Sequence, residues 1–122
     1  DIRTSKRQDD VVVLGAWRID RHPDDAAGYH DQPIVPPYDI SYRTLLPKGV
    51  ENLWVAGRCH SATSEALASS RVTANSMGMG QAAGTAAAMA TLMDVGSRGV
   101  PMTDLQDRLI TADVILDPSS AV

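Results

Sequence analysis

The sequence has one cysteine, no phenylalanine and few aromatics of any kind, 4% of its 122 residues. A single thiol, Cys59, excludes an internal disulfide and any cysteine-rich metal site. It is compatible with a reducing, cytoplasmic compartment. Without Phe, the interior has to be filled by Val, Leu, Ile, Met and Ala. No basic cluster exceeds a few residues and the formal net charge is −4. That balance argues against nucleic-acid binding through phosphate neutralisation. There is no signal-peptide pattern, no internal repeat and no low-complexity segment. The chain opens on Asp1 rather than Met, which raises the expectation that it is a piece of something longer.

What is present suits a globular domain: 43% hydrophobic and 21% charged residues, in a length typical of one domain. A domain of this size buries roughly two-thirds of its surface, so a core is within reach.

Along the chain, residues 1–10 are polar and charged, a surface lead-in. Val11 to Asp20 reads as a strand, apolar on both faces at first and polar by Arg18 and Asp20. Arg21 to Pro37 is a long proline-rich loop carrying His22 and His30. Tyr38 to Tyr42 alternates as a short strand, Pro47 to Val50 is a turn, and Asn52 to Ala56 reads as a short buried strand. Gly96 is placed as the cap that ends the long helix described next. Thr103-x-x-Gln106 spells a capping box, with Asp104 in the first turn of a last helix, and Val114 to Leu116 predicts a final strand stopped by Pro118.

The most informative stretch is Asn52 to Met93. An apolar run ends in Gly57-Arg58, a segment rich in Ser, Thr and Ala follows, and after Arg71 come 22 residues without a charge, Val72 to Met93. The length would suit a membrane span. The content does not: Thr73, Asn75, Ser76, Gln81, Thr85 and Thr91 stand among Ala and Gly, too weakly apolar to prefer lipid. The spacing predicts a soluble helix instead. Gly78, Gly80 and Gly84 each cost about 1 kcal/mol against Ala in a helix interior, and close backbone approach to a sheet or ligand is the usual reason to accept that. Ser76, Gly80, Gly84 and Ala88 recur every four residues as a smooth stripe, so the helix is expected to be covered on several sides.

Several motifs carry two readings. Gly78-Met79-Gly80-Gln81-Ala82-Ala83 matches the letters G-x-G-x-x-A, but that dinucleotide fingerprint follows a strand directly, and here it does not. Packing glycines are the preferred reading. Cys59 and His60 are adjacent, and in an extended segment they point to opposite sides, unfit for a nucleophile–base pair. His22 and His30, with Asp20, Asp24, Asp25 and Asp31 nearby, are read as a solvated loop rather than a metal site. Arg58 and Arg71 stand among Ala, Gly and Ser beside a glycine turn and a helix start. Each could meet a phosphate or carboxylate, or form a structural ion pair, for instance with Glu65.

The blocks Tyr42-Arg43-Thr44-Leu45-Leu46-Pro47-Lys48-Gly49-Val50 and Asn52-Leu53-Trp54-Val55-Ala56-Gly57-Arg58 resemble the FAD-dependent oxidoreductases with a glutathione-reductase-like FAD fold. The likeness continues through Ser61-Ala62-Thr63, Glu65 to Ser69, Arg71 and Gly80-Gln81-Ala82-Ala83-Gly84. Family members often carry His at the position of Ser64 and an aliphatic residue at that of His60.

The resemblance implies an α/β fragment: the C-terminal part of a two-domain flavoprotein whose Rossmann-like fingerprint lies far upstream. Residues 1–47 would end the substrate-side domain and 48–122 would belong to the FAD-binding domain. Ala56, Gly57 and Arg58 would lie by the ribityl-pyrophosphate. Ser70, Arg71, Val72 and Thr73 would lie by the pyrimidine edge of the flavin, where helix N–H groups stabilise negative charge. The implied partner is the N-terminal FAD-binding portion of the same chain, and the segment alone is expected to be inactive and to self-associate. The other expectation is a free-standing, non-catalytic module that binds a partner through its small-residue helix.

Overall fold

A computed structural model describes residues 2–21 and 33–120. They form a small α/β unit of two strands, three helices and several short 3-10 turns. The order is β1 (Val11–Gly15), β2 (Tyr38–Ser41), α1 (Ser64–Ser70), α2 (Thr73–Met93) and α3 (Met102–Thr111). No helix among the described residues is long and apolar enough to cross a membrane.

β1 and β2 pair antiparallel, with Gly15 opposite Tyr38 and Val13 opposite Ile40. An irregularity between Val11 and Val13 turns extra side chains inward. Val11, Val12 and Val13 are all buried, as expected of a run apolar on both faces. α2 packs on β1 through Met79, Ala82, Ala83 and Ala86, and α3 closes the core with Leu105 and Leu109.

The strand from Val11 ends at Gly15 rather than Asp20 because the backbone beyond it bonds elsewhere. Ser69 Oγ in α1 donates to Trp17 O, and Asp20 N–H donates to Ala68 O at 3.1 Å. This docks residues 17–20 against α1. Asn52 to Ala56 is not a strand either. A strand needs a ladder, and among the described residues only Val55 N–H finds a sheet-like acceptor, Leu45 O at 2.8 Å. Leu53 is half-exposed.

Three terminal signals also resolve differently. α2 ends at Asp94, in the left-handed conformation (φ 52°), and Val95 N–H reaches Ala90 O, the closure usually made by glycine. Gly96 lies past it. α3 starts after Pro101 with no side-chain cap. Gln106, the expected capping partner, instead donates to Asp9 O and Val11 O at 3.0 and 3.1 Å and ties α3 to β1. Val114 to Leu116 pairs with no strand among the described residues, and Leu116 O instead accepts from Arg7 Nη2 at 2.8 Å.

α2 itself matches its sequence signal closely, beginning one residue inside the uncharged run. Its glycines divide. A Cβ on Gly78 would meet Val13 at 3.1 Å, the close approach to a strand that glycine permits. Gly80 and Gly84 face open space, and Ala88 and Met77 are exposed beside them. The smooth stripe points away from the described core.

Candidate functional site

Two segments converge at the start of α2. The first is the turn Gly57–Cys59, entered through Ala56 and made by Gly57 at φ +73°. A Cβ on Gly57 would stand 3.7 Å from Ser76, so the turn rests on the second turn of α2. The second segment is the junction between α1 and α2. α1 is capped by Thr63, whose Oγ1 accepts from Ala66 N–H, and carries Glu65 in its first turn. It ends at Ser70, Arg71 forms its C-cap, and extended Val72 (ψ 155°) breaks the path before α2 begins at Thr73.

The structure therefore brings Ala56, Gly57 and Arg58 near Ser70, Arg71, Val72 and Thr73. Val72 cannot cap a helix, and no acidic residue lies in the first turn. The N–H groups of Thr73, Ala74 and Asn75 have no acceptor within the helix, and the positive end of the α2 dipole is uncompensated.

The cations around this end differ. Arg71 is engaged: Nη2 donates to Asp20 O at 3.1 Å and lies 3.5 Å from Asp20 Oδ2. Its partner is Asp20 rather than Glu65, which binds Arg3. Arg58 is exposed and forms no ion pair among the described residues. Asn75 is buried in the first turn of α2, with its amide turned to the Tyr38 phenol. The phenol joins Ser69 Oγ at 2.6 Å. Burial pushes its pKa up, partly opposed by Ser69 and Asn75.

Cys59 and His60 do not form a pair. Cys59 is exposed with Sγ 3.0 Å from Ala56 O. His60 is buried, with Nδ1 2.7 Å from Gly57 O and Nε2 3.0 Å from Ser70 Oγ. This bridge was invisible in the sequence, since it depends on α1. The signal for that helix was present in Thr63-Ser64-Glu65, a cap followed by an acid in the first turn. His22, His30, Asp24, Asp25 and Asp31 lie outside the described residues.

The profile of the FAD dependent oxidoreductase family matches residues 1–109, most of the chain. The chain belongs to that family. No curated protein and no solved structure matches it. An FAD dependent oxidoreductase has to hold a large anionic cofactor, and the start of α2 fits one. It offers N–H groups without acceptors within the helix and a guanidinium that forms no ion pair among the described residues, beside a turn opened by Gly57. A cavity of about 510 Å³ lies elsewhere, between the lead-in and α3, lined by Arg7, Gln106, Ile110, Val114, Leu116 and Asp117. It includes none of the seven residues above.

Proposed function

We propose that this chain is the C-terminal portion of an FAD-dependent oxidoreductase of the glutathione-reductase-like type, and that it supplies one half of the flavin site. The observation that carries this reading is the start of α2, uncapped and unopposed by acid, with the Gly57–Arg58 turn packed beside it. In this reading Arg58 binds a phosphate of FAD, and Gly57 keeps the turn clear for it. Ser70, Arg71, Val72 and Thr73 orient the flavin edge, and the N–H groups of the first turn of α2 hold negative charge there. Bound FAD supplies the electron transfer. Arg71, held by Asp20, sets position rather than serving as a free counter-ion. Residues 1–47 then end the substrate-side domain, and residues 48–122 belong to the FAD-binding domain. The other half of the site comes from an N-terminal portion of the same protein.

The test is the full-length gene product. It is expected to purify yellow, with a flavin spectrum and FAD released on denaturation. A colourless protein that takes up no added FAD refutes the reading. Arg58→Ala is expected to weaken FAD binding by about tenfold, the worth of one charge-assisted bond.

The outward stripe of Gly80, Gly84 and Ala88 favours a second reading, a non-catalytic module that binds a partner through α2. The upstream reading frame separates the two. A G-x-G-x-x-G segment after a strand supports the flavoprotein; a start codon immediately before Asp1 supports the module.

A further inference from the structure

We propose that His60 is a positioning residue for the flavin site, holding the Gly57 turn at a fixed distance from the α1–α2 junction. The inference rests on the proposed function and adds a residue to it.

The two segments assigned to the cofactor are joined in sequence by an exposed stretch, Ser61 to Thr63, and by α1. A Cβ on Gly57 would stand 3.7 Å from Ser76, so the turn lies against α2 there. His60 is the polar link between the segments. Its ring lies 2.7 Å from Gly57 O on one side and 3.0 Å from Ser70 Oγ on the other, and both His60 and Ser70 are buried. Gly57 O can only accept, so Nδ1 carries the hydrogen that faces it, and in the neutral ring Nε2 accepts from the Ser70 hydroxyl.

Each partner has a fallback that keeps the fold but not the spacing. The Ser70 hydroxyl can turn to Ala66 O at 2.9 Å, and Gly57 O already receives His60 N–H at 3.2 Å. An aliphatic residue at position 60 therefore fills the same space without stranding a polar group. What it removes is the tie between the carbonyl of the turn that carries Arg58 and the last residue of α1. Gly57, at positive φ and with no side chain of its own to anchor it, is the point where the turn would drift.

The experiment uses the full-length flavoprotein with His60→Leu, His60→Asn, His60→Gln, Ser70→Ala and the Leu/Ala double variant. Three quantities are read: the FAD dissociation constant, the midpoint potential of the bound flavin, and the melting temperature. His60→Leu is expected to weaken FAD binding about tenfold and to shift the potential to more negative values. Asn places an amide nitrogen near the Nδ1 position and Gln near Nε2, so each is expected to recover part of the loss. Ser70→Ala is expected to act in the same direction, and the double variant to be no worse than His60→Leu alone. If His60→Leu does not fold, Ser70→Ala carries the test by the same two readouts.

Unchanged affinity and potential in these variants overturn the role of His60 and leave the flavin site standing. A fall in melting temperature with no change of potential and no rescue by Asn or Gln also overturns it. A wild-type protein that holds no FAD overturns the proposed function, and the positioning role with it.

Discussion

A methyl group on Gly15 would stand 2.6 Å from Cζ of Tyr38 and 2.9 Å from its hydroxyl. The ring cannot swing aside, because it is buried and its hydroxyl is tied to Ser69. Gly15→Ala is therefore expected to lower stability by about 1–3 kcal/mol, read as a fall in denaturation midpoint, although alanine suits a strand no worse than glycine. Asp10 gives a second expectation. Burial pulls its pKa up, but Arg43 outweighs that: the guanidinium donates through Nε at 2.8 Å and Nη2 at 2.6 Å, and Arg43 N–H adds a third bond. The carboxyl is held below its ordinary value. A lowered folded-state pKa means the contribution is whole above the ordinary carboxylate value of about 3.9 and is lost as pH falls below it. Asp10→Asn is expected to lower stability at neutral pH by about 1–2 kcal/mol and to flatten the acid limb of the stability curve. At this scale the sequence was legible only in part. Arg58 and Arg71 stood out as cations among Ala, Gly and Ser, but that Asp20 engages Arg71 depends on how residues 17–20 dock against α1.

At the scale of elements, α2 was legible because nothing interrupts its uncharged run, and β1 because its valines leave no polar face. The misread elements share a cause. Asn52 to Ala56 and Val114 to Leu116 have strand-like composition, but a strand exists only with a ladder, and their backbone groups bond singly or to a side chain. Gln106 had the spacing of a capping residue and a better use in reaching β1. The glycines of α2 lead to a prediction. With open space where their side chains would be, Gly80→Ala and Gly84→Ala should each stabilise the isolated 122-residue chain by about 1 kcal/mol. In the full-length protein the same changes should destabilise or weaken FAD binding if that face is covered there. Paired denaturation curves on the two forms check both halves. Gly78→Ala should destabilise in either form, because Val13 is 3.1 Å away.

At the scale of the molecule, the apolar surface is large for a lone unit. Met77 and Leu92 are 71% and 81% exposed along α2, and Trp17, Ile34 and Ile110 add to them. The isolated chain is expected to self-associate, seen as a concentration-dependent sedimentation coefficient and binding of an apolar dye. A monomer at high concentration that binds no dye would refute this. The family could be read from the Tyr42–Gly84 blocks, and the convergence of the Gly57 turn with the start of α2 follows from the same blocks. How the two are tied together could not be read, since His60 finds Ser70 only after α1 has formed.

The bonds from Gln106 to the carbonyls of Asp9 and Val11, and from Arg7 to Leu116, also set an order in time. They join residues roughly a hundred positions apart. During synthesis at roughly 5–20 residues per second, β1 leaves the ribosome several seconds before α3 exists to cover it. Until then its three valines can pair with β2 but lack the far wall of their core. Of the two described strands, the more apolar one is thus the one left waiting for its cover.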